Sequence, residues 1–459
     1  MKTWRLDAGA QTIALASWGG IPEVIHWGAR LPVGEDLSDL ARATRLDLTG
    51  GMIDALPALS LTPEAGRAFQ GQAGLVLADA SGAALLPAFS LDRAEAAAGR
   101  LTLVSRAGGL TLTHHLRTEA TGVIILQTVL ESDVPVRLHW LAAPVLPAPQ
   151  EGGLIDVSGK WTREFHLNHV DWSQGIRLRE ARTGRSGHEH PPFLILTGHG
   201  TTDVQGQAWA LSYAWSGGHR MVAEELPDGR RQVQFGNAWA AEVQAGTRFE
   251  SAELIAAYAP DGLNGIAATL QADTRDRVVR WPDPARPRPV HYNCWEAVYF
   301  RHSLAELCEI ADRAAAIGAE RFVLDDGWFG RRDDDTTSLG DWVIDRRKWP
   351  EGLHPLIAHV HKLGMTFGLW FEPEMVNPDS DLMRAHPDWM LGPADQVTGR
   401  HQMVLDMANP AVRDHLFNAI SAILTEYPID YIKWDHNRLL PVVDAAQTRG
   451  AWDLFDRLR

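Results

Sequence analysis

A proline cluster divides this chain into two halves that follow different periodicities. Trp281-Pro-Asp-Pro-Ala-Arg-Pro-Arg-Pro289 carries four prolines in nine residues. Each proline removes a backbone donor and fixes φ, so residues 281–289 predict an extended linker, not the interior of a helix or strand. Before it, in residues 1–280, short apolar runs recur at 12–16, 74–77, 101–105, 110–114, 123–128, 136–141, 193–196, 208–214 and 232–235. Turn residues separate them, as at Gly19-Gly20, Gly50-Gly51, Gly152-Gly153, Gly217-Gly218 and Asp228-Gly229. Many short runs bounded in this way, without long amphipathic helices, predict a large antiparallel β-sandwich. Residues 57–72 read as a long loop.

After the cluster, residues 290–459 alternate strand and helix. Residues 290–295 read as a short strand. Ser303-Leu-Ala-Glu306 has the spacing of a capping box. Residues 304, 307, 310, 311, 314 and 317 then share one helical face, and Gly318 supplies the stop. A second strand, 321–324, runs into Asp325-Asp326-Gly327-Trp328. The polar loop 331–350 leads to a helix beginning near Pro355, with Leu356, Ile357, Val360 and Leu363 on one face and Gly364 at its end. The third strand, 366–371, ends in Glu372-Pro373-Glu374. Residues 379–386 hold a short helix, and 403–405 a brief strand whose place in the sheet the sequence leaves open. Asn409 caps a helix with Pro410 in its first position, and residues 412, 416, 420, 423, 424 and 427 form its apolar face. Residues 429–434 are the next strand. Such βα alternation, with acidic and aromatic residues after each strand, predicts a parallel sheet of the (β/α)8 barrel kind. An open doubly wound sheet normally has a glycine-rich phosphate turn after its first strand, and Asn293-Cys-Trp-Glu296 is not one.

Four clusters therefore fall at one end of the predicted sheet: Trp295; Asp325 and Asp326; Trp370 with Glu372; and Lys433 with Asp435. In Tyr431-Ile-Lys-Trp-Asp-His-Asn-Arg438 the side chains of Lys433 and Asp435 share a face. A lysine there lowers the pKa of its carboxylate neighbour, and an ionised carboxylate can attack a carbon centre. In isolation the same stretch would also suit a surface ion pair. Arg400 lies in a loop between the last two clusters. Carboxylates that accept from hydroxyls, cations that donate and indoles that stack suit a neutral polyhydroxylated ligand. The net charge of −15 argues against nucleic acid and anionic membranes as partners. The two cysteines, Cys294 and Cys308, make no disulfide framework. The N-terminus has no apolar signal core, and no run of about eighteen apolar residues occurs, so a cytoplasmic protein is expected. His114, His115, His188 and His190 lack metal-ligand spacing, and Asp333-Asp334-Asp335 reads as a solvated loop, so no metal or cofactor is expected.

Asn293-Cys-Trp-Glu-Ala297, Leu324-Asp-Asp-Gly-Trp-Phe-Gly330, Gly368-Leu-Trp-Phe-Glu-Pro-Glu-Met375, Val404-Leu-Asp406 and Tyr431-Ile-Lys-Trp-Asp-His-Asn-Arg438 resemble, in order, the motifs of the glycoside hydrolase family 36 α-galactosidases. Residues 1–280 resemble that family's N-terminal domain more loosely, through their arrangement and His26-Trp-Gly28. The resemblance implies an N-terminal β-supersandwich, then a (β/α)8 barrel, of which residues 290–459 would be the first part. It implies retaining release of terminal α-galactose from melibiose- and raffinose-type oligosaccharides, without a metal, often by a homotetramer. By motif position Asp435 would be the nucleophile. Asp325 and Asp326 would hold galactose hydroxyls, including the axial one that distinguishes galactose from glucose. Trp295 and Trp370 would pack on the sugar, and Arg400, Lys433 and Asn437 would contact it. A retaining glycosidase also needs a second carboxyl about 5–5.5 Å from the nucleophile. In this family it lies in a Ser-Asp-x-Thr-Asp motif downstream, which has no match before Arg459. A truncated, impaired α-galactosidase is therefore expected. Galactosyl transfer of the raffinose-synthase type and a non-catalytic galactoside-binding fragment are the alternatives.

Overall fold

The computed structural model describes residues 1–45, 54–238, 244–442 and 444–459; the Gly50-Gly51 turn lies outside them. The chain forms two compact units, Met1–Arg280 and Trp281–Arg459. Residues 281–289 contain neither helix nor strand.

The first unit is β-rich and mostly antiparallel. Among the described residues it contains a three-stranded sheet, a four-stranded sheet and a twelve-stranded sheet. The runs read at 123–128 and 136–141 are not separate strands. They belong to one strand, Ile124–Leu141. Gln244–Glu250 pairs with it on either side of its polar middle, at 129–131 and 136–138, and the register shift between Gly246 and Arg248 takes up residues 132–135, which have no partner in that strand. The expectation of strands alone also needs correction. Leu263–Asp273 is a helix whose Ile266 is buried among Val123, Ile125, Ala208 and Ala257.

The second unit is built on a parallel sheet of β1 (His291–Asn293), β2 (Arg321–Leu324), β3 (Thr366–Phe371) and β4 (Tyr431–Trp434), in that spatial order. The helices are α1 (Leu304–Ala316), α2 (His354–Lys362), α3 (Pro410–Glu426) and α4 (Ala445–Leu458). Phe322, Leu324, Phe367, Leu369 and Phe371 are buried in one core with Leu307, Leu356, Ile357, Leu416 and Ile420 of the helices. Strands covered on both faces need apolar residues at successive positions, which is why they read as continuous runs. Gly368 lies where a Cβ would come within 2.9 Å of the Tyr431 ring, so its missing side chain lets β3 and β4 pair closely.

Two local expectations fail. The first strand stops at Asn293, and Trp295 opens a short helix, Trp295–Val298. The Asn293 side chain accepts from the Trp295 backbone N–H at 2.8 Å and turns the chain there. At α1, Ser303 holds the cap position but makes no side-chain cap bond. A cap is worth about 1 kcal/mol. Burying a leucine such as Leu307 is worth roughly 1.5–3 kcal/mol, so packing holds α1 without the box. Asn409 of α3 does cap, accepting from Ala411 N–H at 3.0 Å. The brief strand near 403 is Met403–Val404. It pairs antiparallel with Met375–Val376, outside the parallel sheet.

Candidate active site

The C-terminal ends of β1 to β4 bring the sequence clusters together. Asp325 follows β2 and is almost fully buried. Its Oδ2 accepts from Lys433 Nζ at 2.7 Å and from Asn293 Nδ2 at 2.5 Å, which ties together the ends of β1, β2 and β4. Its Oδ1 accepts from the Asp326 backbone N–H at 2.9 Å. Lys433 is thus the direct partner of Asp325, not of the carboxylate two residues along its own strand. Gly327, with φ +109° and a would-be Cβ 3.2 Å from the Phe300 Cα, makes the sharp turn after the pair. The two adjacent aspartates consequently face different partners. Asp326 is held by Arg332, whose Nε and Nη2 donate to its two oxygens at 2.5 and 2.8 Å. Burial raises the Asp326 pKa, and Arg332 opposes that rise.

Asp435 continues the β3–β4 ladder, its N–H donating to Phe371 C=O at 2.8 Å. Its Oδ2 accepts from Trp370 Nε1 at 2.9 Å and Asn437 Nδ2 at 2.7 Å, and its Oδ1 accepts from the His436 N–H at 2.9 Å. Burial works to raise its pKa. The three donors and the Lys433 charge outweigh that and hold it below the usual carboxylate value. Beside it lies Glu372, fully buried. Its Oε1 accepts from the Asn437 N–H at 2.6 Å and its Oε2 from Gln402 Nε2 at 2.9 Å. Burial first, and then the Asp435 charge, push the Glu372 pKa up to about 7. Two carboxyl groups side by side are thus driven apart, one ionised and one tending to stay protonated.

Trp370 differs from its expected part. It is 1% exposed, packed with Phe329 and Trp342, and spends its N–H on Asp435, so it offers a hydrogen bond where a stacking face was expected. Trp295 is half-buried and meets Tyr299 and Phe300 edge-on. Arg400 is exposed, with φ +50°, and its charge works against the upward shifts that burial gives Asp326 and Glu372. The loop after β2 is drawn in at its neck by Lys348, whose ammonium donates to the carbonyls of Phe300, Gly327 and Arg332 at 3.0, 3.0 and 2.6 Å. Asn293, Arg332 and Gln402 escaped the sequence reading. Asn293 stood in a quoted motif, whereas nothing in the local spacing marks Arg332 or Gln402. Among the histidines weighed for metal, His114 bonds Thr62 Oγ1 at 2.8 Å, and burial pushes its pKa down to about 3. Among the described residues no group of three or more His, Cys, Asp or Glu could hold a metal ion.

Residues 20–244 match the glycosyl hydrolase family 36 N-terminal domain, and residues 248–452 match the melibiase domain. Together they account for nearly the whole chain. The chain belongs to glycoside hydrolase family 36. This family 36 chain is 38% identical over 457 residues to the alpha-galactosidase of Escherichia coli, covering 95% of itself and 63% of that protein. Over 291 residues it is 40% identical to alpha-galactosidase AgaA of Geobacillus stearothermophilus, covering 62% of itself and 40% of AgaA. The crystal structure of AgaA superposes with a TM-score of 0.90 at 29% identity, covering all of this chain and 70% of AgaA. The alpha-galactosidase of Lactobacillus brevis superposes with a TM-score of 0.87 at 29% identity, covering 99% and 68%. The fold is therefore the family's β-rich N-terminal domain followed by part of its α/β catalytic domain.

Proposed function

We propose that this chain carries the sugar-holding and nucleophilic part of a retaining α-galactosidase site. Its substrates would be terminal α-D-galactosides of the raffinose type; AgaA structures were determined with raffinose and with stachyose. The observation that carries the reading is the triple donation to Asp435 from Trp370, Asn437 and His436, which keeps a half-buried carboxylate anionic. Two donors hold Oδ2 and one holds Oδ1, so Oδ1 keeps the freer lone pairs and is the attacking oxygen. Oδ1 forms a bond to the anomeric carbon as the bond to the leaving oxygen breaks with its electron pair. Water then bonds to the anomeric carbon as the bond to Oδ1 breaks and returns its electron pair to the carboxylate, and the proton that the water sheds balances the one taken up by the released leaving oxygen. Asp325 and Asp326 accept from sugar hydroxyls, with Lys433, Arg400 and Asn437 around them.

Glu372 is no candidate for the acid that protonates the leaving oxygen, because it is sealed from solvent and both its oxygens are bonded to protein donors. The chain has no match to the family's acid motif, so slow hydrolysis of ordinary galactosides is part of this proposal. The fitting probe is α-galactosyl fluoride, whose leaving group needs little protonation. Acid-quenched mixtures analysed by peptide mass spectrometry should show one galactosyl group on the peptide containing Asp435 and none in D435N. Label on another residue, or equal labelling of D435N, would overturn the assignment.

A further inference from the structure

We propose that Arg332 is a positioning residue of the sugar site, fixing the Asp326 carboxylate as a doubly anchored acceptor that selects the hydroxyl pattern of galactose. The inference rests on Asp326 being a sugar ligand, as read above. Arg332 is 0% exposed, an extreme position for a guanidinium, which is tolerated only when its charge and donors are matched. They are matched. Two N–H groups form a parallel fork with Asp326. Nη1 donates to Thr337 C=O at 2.7 Å and to Asn377 Oδ1 at 2.8 Å. The rings of Phe300 and Phe329 each lie 5.6 Å from its Cζ.

Held on these sides, the guanidinium leaves the carboxylate little freedom to rotate. An ionised carboxylate has about four lone-pair sites, and the fork takes two, leaving about two for hydroxyl donors. An alternative worth excluding is that Arg332 only stabilises the loop that follows β2. The contacts of Asn377 argue for more. It also accepts from Leu339 N–H at 2.9 Å and donates to His401 C=O at 2.8 Å, so the same buried cation is joined through one amide to the neighbour of Arg400. One centre thereby sets an acceptor, Asp326, and steadies the loop that carries Arg400. Lysine cannot replace it, because an ammonium keeps the charge but not the planar fork.

Calorimetric titration of galactose and of its C4 epimer glucose into the full chain tests this, with R332K, D326N and the double variant alongside. R332K is expected to weaken galactose binding by about tenfold or more and to reduce the galactose-to-glucose preference by a similar factor. D326N should do the same, and the double variant should bind within about twofold of D326N. R332K with unchanged affinity and preference, beside a weakened D326N, overturns the inference alone. So does a double variant about tenfold weaker than D326N, since Arg332 would then act independently. D326N with unchanged affinity removes Asp326 from the sugar site and the inference with it. If R332K does not fold, D326N/R332M is read against D326N by the same criterion, because that pair removes both buried charges.

Discussion

Replacing Glu372 by glutamine should change how stability depends on pH. Its pKa is raised from 4.5 to about 7, by burial and then by the charge of Asp435. Between those values the folded chain holds a proton that the unfolded chain has released. Stability from this group is therefore fully present at low pH and is lost as pH rises through about 7. At about 1.4 kcal/mol per pH unit, the whole effect is about 3 kcal/mol, of which roughly 2–3 kcal/mol falls between pH ~5 and pH ~8. E372Q keeps the shape and removes the titration. The site can accommodate it, because Gln402 Oε1 is buried without a partner and can accept from the new amide once Gln402 turns over. Urea unfolding of both forms at the two pH values, followed by circular dichroism, gives the comparison. E372Q should gain roughly 2–3 kcal/mol on the unsubstituted chain between the lower and the higher pH. Histidines with depressed pKa values, such as His114, titrate in both forms and cancel in the difference. A stability difference that does not change with pH would show that Glu372 is ionised throughout and refute the argument.

Further predictions concern single hydrogen bonds. W370F removes a donor from Asp435, raises the pKa of that carboxylate, and should slow galactosyl-fluoride labelling by about tenfold on the acidic limb, with a smaller loss near neutrality. A pH–rate profile displaced in the opposite direction would contradict it. N409A should cost about 1 kcal/mol in denaturant unfolding, whereas S303A should lie within about 0.5 kcal/mol of the unsubstituted chain, because only the asparagine caps its helix. Equal losses would mean that the Ser303 cap forms in solution.

The parallel strands Arg321–Leu324 and Thr366–Phe371 could be read directly, because strands covered on both faces have no polar face to interrupt the run. Exposed strands gave no such signal. Arg163–Asp171 is largely open to solvent, so its residues are free to be polar, and only its backbone pairing with Gly153–Lys160 defines it. In the site, the acids and indoles were visible because each ends or follows a strand. Their partners were not. Lys433 stands two residues from Asp435, which suggested that pair, yet its ammonium reaches across to Asp325. Arg332 likewise sits in a polar loop that, as a string of letters, resembles any solvated turn. Proximity along the chain reveals which element carries a group, whereas the partner of that group depends on how strands lie side by side.

The ammonium of Lys348 works as a drawstring, gathering three carbonyls where the loop after β2 leaves and rejoins the scaffold. The span between Asp333 and Arg347 does not hang loose below that neck, because Thr337 C=O accepts from Arg332 and Trp342 packs on Trp370. A change of length there would therefore be felt at Asp326, through Arg332, and at Asp435, through Trp370, at the same time.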